Sequence, residues 1–114
     1  MFLSRLFGKK EMNKQAAEAF WQYFEQEQML FIDILVNGDS ETKQALVGAI
    51  DQMLCPVFPY VKPECIDFQL GSNHGLHEFT LFHGGLEPLG KDMLTLCGMM
   101  PESIRNVWTV SVNE

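Results

Sequence analysis

The stretch that decides the fold is residues 66–112, which read IDFQLGSNHGLHEFTLFHGGLEPLGKDMLTLCGMMPESIRNVWTVSV. Apolar and polar residues alternate on both sides of a Gly-rich turn, with apolar positions at Ile66, Phe68, Leu70, Phe79 and Leu81. Alternation with period two is typical of strands that bury one face only. The segment 66–82 is therefore predicted to be a β-hairpin that turns through Gly71-Ser72-Asn73-His74-Gly75.

A helix and a further strand complete this stretch. Gly84-Gly85 ends the hairpin, and apolar residues then recur at helical spacing over 86–100, at Leu86, Leu89, Met93, Leu96 and Met100. Pro88 fits that helix because it lies in the first turn, and Pro101 ends the helix. Period two returns at Trp108, Val110 and Val112, which predicts a last strand over 107–112.

A long helix is predicted over 13–36. Its buried stripe comprises Ala17, Phe20, Trp21, Phe24, Phe31, Ile34 and Leu35. Glu27 and Gln28 interrupt the stripe, which predicts that this part of the helix lies near the edge of the sheet. Gly38 is predicted to end the helix in the left-handed conformation that glycine tolerates.

A second helix follows with little separation. Asp39 or Ser40 is its predicted N-cap, and the helix stops at Pro56. Three prolines within 56–64 then predict an irregular linker, whose residues Val57, Phe58 and Tyr60 cover the edge of the core.

These elements predict one α+β domain over 13–114, preceded by a flexible basic and apolar tail over 1–12. The architecture is a two-layer sandwich in the order α-α-β-β-α-β, with a three-stranded mixed sheet and helices on one face. The last strand is expected to run parallel to the second, since a helical crossover joins them. The uncovered face would carry Asp67, Gln69, Glu78, Thr80, Phe82, Val107, Thr109 and Ser111.

Charge is unevenly distributed along the chain, whose net charge is −7. Residues 1–14 hold four basic side chains and one acidic one, whereas the other hundred hold four basic and fourteen acidic ones. An acidic body repels phosphate backbones, so no nucleic-acid partner is expected. The tail could contact a membrane surface, but folding back on the domain or fraying is the favoured interpretation.

Three cysteines, Cys55, Cys65 and Cys97, cannot all pair within one chain, and none forms a CxxC motif. Reduced thiols in a cytoplasmic protein are therefore expected. The N-terminal apolar run is short and its cations follow it, so no signal peptide is predicted. No segment approaches the ~20 apolar residues that a membrane span needs.

A resemblance joins several of these features. The chain has Phe20-Trp21-x-x-Phe24 in its opening helix, Asn37-Gly38-Asp39 before the second, a strand that ends in Gly84-Gly85, and Met100-Pro101 before a strand that bears Trp108. In this it resembles, over about 15–112, a family of small uncharacterised bacterial α+β domains. The resemblance implies an α-α-β-β-α-β domain of the bacterial cytoplasm. It implies no catalytic residue, because the family has no established activity. The chain departs from the family pattern at Phe82-His83, where smaller residues are usual.

Candidates for metal or catalytic chemistry are few. His74, His77 and Glu78 are the candidate metal ligands, since zinc binds imidazole and carboxylate groups, but no second pair is spaced to complete four ligands. A Cys–His nucleophile centred on Cys65 would need a cleft and an oxyanion hole, which nothing in the sequence predicts. No cofactor and no enzymatic activity are expected.

The favoured hypothesis is a non-enzymatic module that binds another protein or itself. Phe82, Val107, Thr80 and Thr109 on the uncovered face are its candidate interaction residues, and an unpaired edge strand is the alternative surface. An immunity-like inhibitor of a basic toxin is one version, which small size and acidity suggest. The other open hypothesis is a small-molecule or metal-responsive domain that uses the turn histidines.

Overall fold

Four α-helices and three strands make up the part of the chain that the computed structural model describes, residues 11–62 and 66–114. In chain order they are α1 (Lys14–Asn37), α2 (Ser40–Leu54), a 3-10 turn (Cys55–Val57), β1 (Asp67–Asn73), β2 (Leu76–Phe82), α3 (Glu87–Gly98), α4 (Glu102–Arg105) and β3 (Trp108–Asn113). The predicted α+β class and the order α-α-β-β-α-β are confirmed, with the one-turn α4 added between α3 and β3.

The sheet has the order β1-β2-β3, with β2 in the centre. β1 pairs antiparallel with β2, and β3 pairs parallel with β2 through the crossover that α3 provides. The mixed sheet is therefore confirmed, and the helices pack against one of its faces.

An aromatic cluster holds the helical layer against the sheet. Phe24 lies at its centre, with ring centroids 5.6 Å from Phe79, 5.0 Å from Trp108 and 5.1 Å from Phe31. Trp21 adds a buried hydrogen bond, since its indole N–H donates to the Leu96 carbonyl at 2.8 Å and so ties α1 to α3. Large aromatic side chains supply much of the burial energy of a small domain.

The start of α1 lies against the linker that follows α2. Asn13 caps α1 by accepting from the Ala16 N–H at 3.0 Å, and its own N–H donates to the Val57 carbonyl at 2.8 Å. Val57 and Phe58 are fully buried, so this part of the predicted linker belongs to the core and not to its edge. The predicted tail falls on residues 1–10, which lie outside the described part, and on Glu11 and Met12.

Gly38 is required for a different reason from the one predicted. Its φ is −74°, so it is extended and not left-handed. A Cβ on Gly38 would lie 2.6 Å from the Ile34 carbonyl oxygen, which is far closer than such atoms approach. Close approach, and not a positive φ, therefore selects glycine here, and Asp39 caps α2 directly afterwards by accepting from the Thr42 N–H.

The buried stripe of α1 continues through Gln28, which is 9% exposed, so the predicted interruption at this position is wrong. The Gln28 Nε2 donates to the Glu25 carbonyl at 3.4 Å, a long bond, and its Oε1 has no partner among the described residues. Ile34 and Leu35, which were expected to be buried, are only half-buried. Burial of an amide without its hydrogen bonds destabilises a fold.

Gln28→Met is therefore expected to raise the free energy of unfolding by about 1 kcal/mol. Methionine has a similar size and helix propensity and carries no group that needs a hydrogen bond. Urea unfolding followed by circular dichroism measures the change. Gln26→Met, at an exposed position of the same helix, is the control and should change stability by less than about 0.5 kcal/mol. A lower free energy of unfolding for Gln28→Met would show that the Gln28 amide makes a hydrogen bond that stabilises the fold.

Candidate functional site

The two faces of the sheet differ sharply in environment. Strand register places Phe68, Leu70, Phe79, Leu81, Trp108, Val110 and Val112 on the face that the helices cover. The other face, called the open face below, carries Asp67, Gln69, Gly71, Asn73, Leu76, Glu78, Thr80, Phe82, Thr109, Ser111 and Asn113. Every residue of the open face is exposed or half-buried, so the described helices leave this face of the sheet uncovered.

The centre of the open face is a polar row between two apolar ends. Gln69, Thr80 and Ser111 are in register, and the Ser111 hydroxyl lies 3.5 Å from that of Thr80. At one end half-buried Phe82 lies between Asp67 and Asn113. Seven residues of β2 span about 20 Å, so a partner that contacts both ends needs a segment of that length.

Leu76 marks the opposite end of the open face. It is the first residue of β2 and is 63% exposed. Val107 lies next to it if the β2–β3 register is continued by one residue, and Val107 is 41% exposed. An apolar residue at each end of a polar row, exposed at Leu76 and half-buried at Phe82, gives a partner two separate anchor points.

Only acidic charges occur on the open face. Asp67 and Glu78 are its two ionisable residues, and the three strands contain no lysine or arginine. Their carboxylates flank the polar row, one on β1 and one on β2. The face is therefore electrostatically complementary to a basic surface.

Of the four predicted interaction residues, Phe82, Thr80 and Thr109 lie together on the open face. Val107 was expected in the last strand, but β3 begins at Trp108 and ends at Asn113, so Val107 belongs to the turn after α4. The helix predicted over 86–100 extends from Glu87 to Gly98, and α4 forms a separate, unpredicted turn after Pro101. That extra turn moves the start of the strand by one residue.

The candidate metal ligands do not converge on one point. His77 is on the covered face, where its Nδ1 lies 2.9 Å from the Ser72 hydroxyl and its ring 5.6 Å from that of Trp108. Glu78 follows it in the strand and therefore lies on the open face, while His74 is exposed in the hairpin turn. Within 11–62 and 66–114, no group of three or more His, Cys, Asp or Glu residues is placed to hold a metal ion.

The hairpin turn is tighter than predicted. β1 continues to Asn73, and the turn consists of His74 and Gly75 alone. Both have positive φ, 52° and 80°, which two-residue turns of type I′ require because their twist matches that of the strands. Glycine adopts this conformation freely, whereas a non-glycine residue such as His74 is destabilised by about 1 kcal/mol.

His74→Asn is expected to raise the thermal midpoint by about 3 °C, because asparagine adopts the left-handed conformation more readily. Differential scanning calorimetry measures the shift. His74→Val is the matched comparison, and it should lower the midpoint since a β-branched residue is disfavoured at positive φ. Equal midpoints for the two variants would contradict the assigned turn.

His83 lies in a groove at the end of the sheet beside α3. The groove has a volume of about 420 Å³ and is lined by His83, Glu87, Gly90, Lys91, Leu94 and Val112. The imidazole packs on Gly90, where a Cβ would lie 3.1 Å from the ring, and its Nδ1 accepts from the Gly85 N–H at 3.1 Å. None of the lining residues is a serine, threonine or cysteine that could act as a nucleophile with His83.

Another groove of similar size lies between the start of α1 and α3. It is lined by Glu11, Met12, Lys14, Asp92 and Thr95. At its margin the Tyr60 hydroxyl donates to Asp92, and desolvation with this carboxylate raises the pKa of Tyr60. Because the Tyr60 hydroxyl keeps its proton, it remains a hydrogen-bond donor to Asp92 and links the segment after α2 to α3.

Neither cysteine in the described part has the setting of a nucleophile. Desolvation raises the pKa of the half-buried Cys97 thiol, which reduces the thiolate fraction at neutral pH. The Cys55 thiol donates to the Asp51 carboxylate at 3.5 Å. Cys65, the residue of the enzymatic hypothesis, lies outside the described residues.

Sequence reasoning missed two features of this end of the sheet, namely Leu76 as part of the open face and the contact between His83 and Gly90. The alternation of Leu76, Glu78, Thr80 and Phe82 could have revealed the first, had the turn been placed at His74-Gly75. No local pattern predicts the second, since it joins a loop to the following helix.

In the described part of the chain, no helix is sufficiently long and apolar to cross a bilayer. No family model matches the chain, and neither a curated protein nor a solved structure does so. The resemblance to bacterial α+β domains thus stays a prediction.

Proposed function

We propose that this protein is a non-enzymatic binding module whose open face receives a basic segment of another protein. The observation that carries the proposal is the one-sided sheet, whose uncovered face has two carboxylates, no cation and an apolar residue at each end. A partner of matching chemistry places lysine or arginine near Asp67 and Glu78 and apolar side chains near Phe82 and Leu76.

The chemistry of the open face favours recognition over catalysis. Its polar side chains lie in one row across the three strands, whereas catalysis needs groups that converge in a pocket that excludes water. Charge complementarity speeds association and excludes acidic partners, while the apolar ends supply contact area. An immunity-like inhibitor of a basic toxin is one concrete form of this proposal. The expected setting is the bacterial cytoplasm, which an odd number of cysteines without a CxxC motif favours.

Site-specific photo-cross-linking tests the proposal. A photoreactive amino acid is introduced at Thr109, exposed on the open face, and in a control at Gln22, exposed on the outer side of α1. Both proteins are expressed in the native cells, and the cross-linked peptides are sequenced by mass spectrometry. We expect Thr109 to capture one predominant protein through a lysine- or arginine-rich segment, and Gln22 to capture none.

Three results would contradict the proposal. Equal labelling from both positions would show that contacts are non-specific. Capture of an acidic segment would show that the charge of the open face does not select the partner. Cross-links from Thr109 only to a second copy of the chain would assign the open face to self-association.

A further inference from the structure

β3 is an edge strand that lacks the usual protection. It pairs with β2 on one side, and within the described residues nothing pairs with its other side. Its sequence, WTVSVN, contains no charge, no proline and no glycine. Natural edge strands usually carry such residues because an exposed row of backbone groups recruits another strand. The other edge strand, β1, contains Asp67 and Gly71.

The direction of each backbone group in β3 follows from one hydrogen bond. The His83 N–H donates to the Asn113 carbonyl at 3.0 Å, so the backbone of Asn113 faces β2. Because these directions alternate along a strand, Thr109 and Ser111 also face β2. The N–H and C=O groups of Val110 and Val112 therefore point away from β2, towards the free edge.

The side of α3 next to this edge, called the α3 flank below, carries charges that are complementary to those of a second copy. Glu87 and Lys91 lie one helical turn apart in the groove beside Val112, and they carry opposite charges. Leu94, one turn further along, is 62% exposed. Two copies of this flank in antiparallel orientation place the glutamate of one opposite the lysine of the other.

We propose that β3 pairs antiparallel with β3 of a second copy, which forms a continuous six-stranded sheet with the two α3 flanks side by side. A two-fold axis makes such an interface isologous, so the same patch serves both copies. An acidic chain of net charge −7 would normally repel its copy, but an uncharged strand and a balanced α3 flank avoid that repulsion. Leu94 then supplies apolar area that a free edge alone lacks.

This inference does not depend on the proposed function, since it uses the β3 edge and the α3 flank and leaves the open face uncovered. Pairing would place two open faces on one side of the joined sheet. A partner with two basic segments would then bind with greater avidity than a partner with one.

Sedimentation velocity of the full chain tests the pairing between about 1 and about 200 μM, a range that covers dissociation constants typical of weak dimers. We expect a species of twice 13.0 kDa at the upper concentrations. Leu94→Glu should raise the dissociation constant at least about tenfold, because it replaces apolar contact area with a carboxylate close to Glu87 of the second copy. The control is Leu76→Glu, which alters an apolar residue of equal exposure on the open face and should leave the dimer unchanged.

Two further variants separate the strand contact from the helix contact. Val112→Pro removes an N–H that faces the free edge and keeps the β2–β3 ladder, so it should weaken the dimer in a chain that remains folded. Glu87→Lys should weaken the dimer, and the double variant Glu87→Lys with Lys91→Glu should restore it. A monomer at every concentration would overturn the proposal, as would a dimer that Leu76→Glu disrupts and Leu94→Glu does not.

Discussion

Phe24→Ala is expected to lower the free energy of unfolding by about 3–5 kcal/mol, the largest effect of any single substitution considered. Phe24 is fully buried and its ring contacts those of Phe20, Trp21, Phe31, Phe79 and Trp108. Its removal leaves a cavity between α1, β2 and β3 that rigid aromatic neighbours cannot fill. Domains of this size are stable by only about 5–15 kcal/mol, so a large share of the total is lost.

Guanidinium unfolding monitored by far-UV circular dichroism measures this loss. Leu30→Ala is the control in the same helix, because Leu30 is 52% exposed, and it should cost less than about 0.5 kcal/mol. Similar costs for Phe24→Ala and Leu30→Ala would contradict the placement of Phe24 at the centre of the core.

Trp21→Phe is expected to lower the free energy of unfolding by about 1–3 kcal/mol. The substitution removes the indole N–H that donates to the Leu96 carbonyl at 2.8 Å and leaves a void where the larger ring was. That bond joins residues 75 positions apart, so its loss weakens the contact between α1 and α3. Urea unfolding gives the change in free energy.

Trp108→Phe is the matched control, because Trp108 is equally buried but its Nε1 has no partner among the described residues. Trp108→Phe should lower the free energy of unfolding by less than Trp21→Phe does. It removes ring volume, but the indole N–H that it also removes donates no hydrogen bond within the described residues. A greater cost at Trp108 would show that its N–H is hydrogen-bonded in solution.

The sheet could be predicted from the sequence because alternation determines which side chains share a face. Phe68, Phe79, Leu81 and Trp108 were assigned to the covered face from their spacing, and the register confirms this assignment. The parallel direction of β3 followed from the helix between it and β2. Patterns of a few residues are sufficient to predict a helix or strand when one of its faces is buried and the other is exposed to solvent.

Features that depend on contacts between distant atoms could not be predicted in this way. Gly38 resembles a left-handed cap in sequence, yet the Ile34 carbonyl is what excludes a side chain. Gln28 resembles a solvated position, yet α1 buries it with the core. Tertiary packing decides both cases, and no window of a few residues contains that information.

The candidate site was predictable in part. The parity of Phe82, Thr80 and Thr109 identified the open face, whereas β3 begins at Trp108, one residue later than predicted, because no pattern in the sequence indicated the short helix α4 that precedes it. The histidines were singled out by residue type alone. Because neighbouring residues of a strand point to opposite faces of the sheet, His77 and Glu78 lie on different faces. Which face each occupies can be assigned only once the position of the hairpin turn is known.

A matched pair of charge reversals shows whether the open face is the surface that binds the partner. Glu78→Lys lies on the open face and Glu18→Lys on an exposed position of α1, and both change the net charge by the same amount. Isothermal titration calorimetry with the basic segment captured from Thr109 gives the two dissociation constants. If the partner binds at the open face, Glu78→Lys binds it at least about tenfold more weakly and Glu18→Lys less than about twofold more weakly. Equal weakening by both variants would show that total charge, and not the open face, determines binding.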